Sequence, residues 1–193
     1  VPPLSTAHYL SVSYPHLDHL RVYHQQEQQG QQWVELAHTG DQQPFAQRPI
    51  LHRNFLAPIA ASFSEQTLYL WVQTEGVLQL PLQLLTPAAQ AHQDEWFLFG
   101  HGSLAGFFLA IALFAAFLWA THRQWVYALF GLLMLSYLAV AIVFSGLAFA
   151  YLWPQFPAIN NFALLACLGF ATALAARFAC SLFALHSSPA YYL

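Results

Sequence analysis

The sequence predicts a membrane protein in two parts. Residues 1–95 read as an all-β, sandwich-like or jelly-roll domain, and residues 96–193 as a membrane domain of three transmembrane α-helices. Three observations carry this. Of the 193 residues, 58% are hydrophobic and 7% charged, with a mean hydropathy of +0.46, where a soluble domain carries about a quarter charged residues. Charge is also segregated: all eight acidic residues and three of the five Arg lie at or before Glu95, and only Arg123 and Arg177 follow. Finally, the first part alternates apolar and polar residues, whereas the second holds apolar runs of 24 to 26 residues. Two solvents are implied, water for the first part and lipid for the second. With five Arg, no Lys and a net charge of −3, nothing can track a phosphate backbone, which excludes nucleic acid as a partner.

In the polar part, HLRVYHQ (19–25) and QQWVELAH (31–38) flank Gly30 and read as a hairpin. HTGDQQPF (38–45) follows as loop chemistry, with Gly, Asp and Pro in succession. TLYLWVQT (67–74) sets Leu68, Leu70 and Val72 against Tyr69, Trp71 and Gln73, the period-two pattern of a half-buried strand. LQLPLQL (78–84) places Leu78, Leu80, Leu82 and Leu84 on one face, with Pro81 arguing for a sheet edge or bulge. Five or so strands are few for a closed sandwich, so the sequence leads us to expect strands missing from its N-terminal end.

The membrane part divides at THRQW and WPQFPAINN into spans of about 97–120, 126–151 and 162–185. Each exceeds the roughly 20 residues that cross a hydrocarbon core of about 30 Å. Trp96, Trp119, Trp125, Tyr151 and Trp153 fall at the ends of these runs, where amphipathic rings favour the headgroup layer. His122 and Arg123 make THRQW the cytoplasmic loop, and Arg177 emerges on the same side. The β domain then lies outside, in the periplasm of a bacterium with two membranes, and the lipid bilayer is the first partner. Cys167 and Cys180 share one span and cannot bond to each other along a single helix.

Several residues invite functional readings. His16, His19 and His24 lie close together, but no Cys joins them, and His19 and His24 fall on opposite sides of a strand. They read as surface histidines, with no metal site and no cofactor. Gly102 and Gly106 form a GxxxG pair compatible with homodimerisation or with packing inside one chain. Asp41, Arg48 and Arg53, in and after TGDQQPFAQR, could present charge-assisted hydrogen bonds to a small ligand. The commoner reading of such a loop is structural, with Asp41 capping its own turn and Arg48 pinning the loop to the sheet. Trp33, Tyr69 and Trp71 could stack on sugar rings or pack across strands. Trp71 is the strongest candidate for an exposed role, since it alternates away from the leucine face. No catalytic arrangement is present: the membrane part has no carboxylate, and no Ser–His pair sits in a nucleophile context.

YPHLDHLRVY, HTGDQQPFAQRPILHRNFLAP and TLYLWVQTEGVLQLPLQLLTP, followed by SGLAFAYLWP in the membrane part, resemble the bacterial seven-transmembrane receptors with diverse intracellular signalling modules. The resemblance covers the later part of that family's extracellular jelly-roll sensor domain, which is similar to carbohydrate-binding modules, and its first three membrane helices. It implies a periplasmic sensor for a small molecule or carbohydrate, coupled to a cytoplasmic output such as a diguanylate cyclase or histidine kinase. Phe114, Ala115 and Gln124 depart from residues common in the family at those places. The alternative is a passive membrane-anchored binding or adhesion module, or a non-signalling remnant of such a receptor.

Overall fold

The computed structural model describes residues 1, 4–26, 32–61 and 67–186, so the expected turn at Gly30 lies outside the described residues. Among them are six strands: β1 (His8–Val12), β2 (His19–Gln26), β3 (Gln32–Thr39), β4 (Phe55–Ile59), β5 (Leu68–Gln73) and β6 (Leu82–Leu85). Four helices accompany them: α1 (Pro87–His122), α2 (Trp125–Phe144), α3 (Leu147–Tyr151) and α4 (Asn160–His186). The chain forms two compact units. One comprises Val1–Trp96 together with Ser145–Asn161; the other comprises Phe97–Phe144 and the chain from Phe162 onward.

In the first unit the strands form two antiparallel sheets, ordered β4-β1-β6 and β3-β2-β5. Alternation decides which side chains turn inward. Leu10 and Val12 of β1 and Phe55, Ala57 and Ile59 of β4 join Leu20 and Val22 of β2 and Ala37 of β3 in one buried cluster. Leu68, Leu70 and Val72 of β5 pack against it, while Tyr69, Trp71 and Gln73 face out, as their alternation predicts. A shared core of this kind makes the two sheets a sandwich. The register of β2 on β3 shifts between Val22 and Tyr23, which pair with Ala37 and Glu35, so Leu36 is a bulge residue.

Two strand expectations need correction. LQLPLQL is not a strand from residue 78: pairing begins at Leu82, and Leu78, Leu80 and Leu82 are exposed, leaving Leu84 to meet the core. Pro81 is the reason, since it has no N–H to donate and only its carbonyl joins the sheet, accepting from Ser13 N at 3.3 Å. Conversely, β1 and β4 lie outside the segments whose alternation predicts strands. Pro58 breaks the pattern of β4, and it is accommodated because β4 is an edge strand.

Among the described residues three helical segments, Pro87–His122, Trp125–Phe144 and Pro157–Phe183, are long and apolar enough to cross a membrane. The first begins at Pro87, ahead of the expected 97, because PAAQAHQDEW is helical without being apolar. Pro87 occupies the first helical position, and the Thr86 hydroxyl before it accepts the Ala89 N–H at 3.3 Å. The second span stops at Phe144 rather than Tyr151. Gly146 takes a left-handed φ of 77°, and a Cβ there would lie 2.8 Å from Pro15 Cβ, so the chain turns at this glycine and α3 starts afresh.

Within the second unit, small residues set the contact of α1 with α2. Ala112 and Ala115 are buried, and a Cβ on Gly131 would stand 3.4 Å from Ala112 O and from Ala115 Cβ. Phe130 and Phe178 join α2 to α4 at 5.5 Å between ring centres. Ser136 and Thr172 return their hydroxyl protons to carbonyls one turn earlier, at 2.7 and 2.9 Å, so neither leaves an unmet donor in an apolar setting. A Cβ on Gly102 or Gly106 would meet nothing within 4 Å among the described residues.

Candidate functional site

Two features of the first unit bear on function. The first is the outward face of the β3-β2-β5 sheet. Register sets Trp71 directly across from Arg21, Tyr69 across from Tyr23, and Trp33 across from Gln25. Trp33 and Tyr69 reach over the central strand and meet edge to face with ring centres 4.4 Å apart. The Arg21 guanidinium lies 5.2 Å from the Trp71 ring centre, within cation–π range. The three rings nevertheless stay 45–49% exposed, so the face presents aromatic surface to solvent with a cation at its margin.

The second feature is the loop between β3 and β4. Thr39 ends β3, and Gly40 then passes so close to Asp18 that a Cβ would fall 1.9 Å from the Asp18 carbonyl oxygen. The Asp41 N–H is donated to Leu17 O at 2.8 Å, which fixes the turn. A single 3₁₀ turn, Phe45–Gln47, delivers Arg48 into the interior. There its Nη1 donates to His52 O and Arg53 O at 2.7 and 3.0 Å. Its Cζ lies 4.7, 4.6 and 5.3 Å from the ring centres of Phe45, Phe55 and Phe149. Burial lowers the Arg48 pKa to about 10, partly offset by Asp41, so Arg48 keeps its charge at neutral pH.

This loop grips the segment between the second and third spans. The Phe45 N–H is donated to Pro154 O at 2.9 Å, and Phe45 meets Phe149 edge to face at 5.7 Å. Asn160 Nδ2 donates to Asp41 O at 3.0 Å while its Oδ1 accepts from Trp153 Nε1 at 2.8 Å. Gln42 Nε2 donates to Asn161 Oδ1 and to Asp18 Oδ1, the latter at 3.3 Å. Beyond Arg48, Asp94 on α1 collects His52 Nε2 at 2.9 Å and Arg53 Nη2 at 3.4 Å. The Asn54 N–H is donated to His52 Nδ1 at 3.0 Å, so Nε2 carries the proton given to Asp94. Burial lowers the Arg53 pKa, and Asp94 opposes that shift.

The residues singled out in the sequence thus divide. Trp71 is open to solvent; Asp41 and Arg48 are each 6% exposed, enclosed by the loop and its neighbours; Arg53 is tied to Asp94. Arg21, Phe149 and Asn160 were not singled out. Arg21 could have been found from the pairing of 19–25 with 67–74, but Phe149 and Asn160 lie in a stretch whose sequence reads as membrane span and linker. Among the described residues no group of three or more His, Cys, Asp or Glu could hold a metal ion.

Residues 3–86 match the family described as 7TMR-DISM extracellular 2, and residues 98–193 match 7TM diverse intracellular signalling. No curated protein and no solved structure matches the chain. Both matched parts are sensory or membrane parts of a receptor rather than catalytic ones. The chain belongs to the 7TMR-DISM family of transmembrane sensory receptors, with an extracellular β domain followed by membrane helices.

Proposed function

We propose that this chain is the sensory input of a bacterial inner-membrane receptor whose periplasmic β unit takes a small ligand of the carbohydrate class. The observation that carries the reading is the exposed row of Trp33, Tyr69 and Trp71 with Arg21 beside it. Sugar rings offer C–H faces that stack on aromatics and hydroxyls that accept from a guanidinium. Arg48 and Asp41 serve this site indirectly, by fixing the loop that joins the β unit to the segment between the second and third spans. Ligand occupancy shifts the helices toward the arrangement it binds more tightly, and a cytoplasmic output module reads that shift.

The test uses a full-length receptor screened against a glycan panel. Trp71→Ala is expected to weaken binding of whichever glycan scores by about thirtyfold, the equivalent of roughly 2 kcal/mol for losing a stacking ring. Output should fall with it while membrane levels stay normal. Unchanged affinity in both Trp71→Ala and Arg21→Ala would remove the aromatic face from consideration.

The orientation has its own check. In a background lacking Cys167 and Cys180, an impermeant thiol reagent on intact spheroplasts is expected to label Gln155→Cys and spare His122→Cys. The reverse pattern would place the β unit in the cytoplasm.

A further inference from the structure

The Asp41 carboxyl has an unusual setting. It is almost fully buried, its Oδ1 has no hydrogen-bond partner, and the Asp41 N–H bond to Leu17 O sets it beside the Asp18 backbone. Asp18 is already committed, accepting from Gln42 Nε2 on Oδ1 and from the Glu75 N–H on Oδ2 at 2.6 Å. Burial disfavours the charged form of a carboxyl, and the more so when a second acid is near. An ionised Asp41 would face a like charge and leave a buried oxygen without a donor.

The same residue is part of the grip on the 145–161 segment, because its carbonyl accepts from Asn160 and its neighbour Gln42 bonds Asn161. We propose that the Asp18–Asp41 pair is a proton-operated latch, which holds the β3–β4 loop on the segment between the second and third spans when Asp41 is protonated and loosens it when Asp41 ionises.

The surrounding charges fit this assignment. Asp18 comes from the β1–β2 connection and Arg48 from the loop itself. His38, at the end of β3, has its Nε2 bonded to Gln43 at 2.7 Å, and His19 follows Asp18 in the chain. The 145–161 segment contributes no acid or base except Tyr151, which is 78% exposed. Burial first, then Asp18, raise the Asp41 pKa from 3.8 to about 7, against a smaller opposing effect of Arg48.

The sign follows from linkage. The closed latch binds the proton more tightly than an opened loop, whose Asp41 returns to an ordinary carboxyl pKa. Closure is therefore strongest below about pH 4, weakens as pH rises toward about 7, and changes little beyond. The periplasm follows external pH across this window, so the latch would set receptor readiness by acidity, independently of which ligand occupies the aromatic face.

The experiment is hydrogen exchange on the full chain in phospholipid nanodiscs, with protection corrected for the intrinsic pH dependence of exchange. The reporters are peptides over 40–48, which include the Phe45 amide bonded to Pro154, and over 145–161. Protection in the wild type is expected to fall by up to about tenfold per pH unit between pH 4 and 7. Asp41→Asn, a neutral mimic of the protonated acid, should keep protection high at pH 7.5 and flatten the profile. Asp18→Asn, which removes a neighbouring like charge, should move the fall to lower pH. His38→Gln should leave the wild-type slope in place. A flat wild-type profile, an unchanged slope in Asp41→Asn, or an unshifted fall in Asp18→Asn would each overturn the latch. A slope abolished by His38→Gln would transfer the effect to the histidine.

Discussion

Gly40→Ala is expected to destabilise the extracellular unit by about 3 kcal/mol or more, the range reached when a buried backbone is overpacked. The added Cβ would lie 1.9 Å from the Asp18 carbonyl oxygen and 2.7 Å from its carbon. No rotamer change relieves a clash between a Cβ and a backbone carbonyl, so either the loop must lift or the β1–β2 connection must move. Lifting the loop would also break the Asp41 N–H bond to Leu17 and withdraw Arg48 from its aromatic surroundings. The measurement is trypsin resistance and thermal unfolding of the full chain in detergent. Gly76→Ala is the control, since its new Cβ would have only the Thr74 hydroxyl at 3.7 Å nearby and should shift stability by no more than about 0.5 kcal/mol. Equal behaviour of the two variants would show that the loop does not need to approach Asp18 so closely.

Arg48→Ala is expected to cost about 3 kcal/mol, combining two lost bonds to carbonyls, contact with three aromatic rings and the cavity left behind. Arg48→Lys should recover less than half of that. An ammonium can reach one carbonyl, but it lacks the planar surface that lies against Phe45, Phe55 and Phe149. Exchange and proteolysis should show the loss at both 40–48 and 145–161, because Phe149 belongs to the second segment. A loss confined to 40–48 would mean that Phe149 contributes nothing to holding the Arg48 guanidinium.

The boundary between what the sequence discloses and what it hides follows the range of the interactions. Hydrophobic runs are local, so three spans were legible, as was the inward set Leu68, Leu70 and Val72 opposite Trp71. The first ten residues of α1 were not, since a Gln- and Ala-rich stretch gives helix propensity but no membrane signal. The end of the second span at Phe144 depended on one glycine with a left-handed φ, in a run whose hydropathy continues unbroken to Tyr151. The leucines of LQLPLQL alternate as a strand would, but Pro81 keeps the ladder from starting before Leu82, and Leu78, Leu80 and Leu82 stay exposed. At the candidate site, the sequence could name Asp41, Arg48 and Arg53 but not choose between a ligand and a structural partner. That choice depends on Phe149 and Asn160, brought in by tertiary packing from the far side of two spans.

Pro58 and Pro81 have a consequence for how this protein keeps company with its own copies. Among the described residues β4 and β6 are the edge strands of the β4-β1-β6 sheet, and a proline stands at each: Pro58 within β4, and Pro81 directly before β6. An incoming strand zips onto an edge by matching a continuous row of donors and acceptors, and a proline leaves a gap in that row. Next to β6 the need is greater, because Val77, Leu78 and Leu80 expose an apolar run beside it. A segment with that composition would otherwise favour strand addition between copies of the chain. The proline that shortens β6 thus sits where gatekeeper residues interrupt aggregation-prone strands, at the cost of ladder bonds.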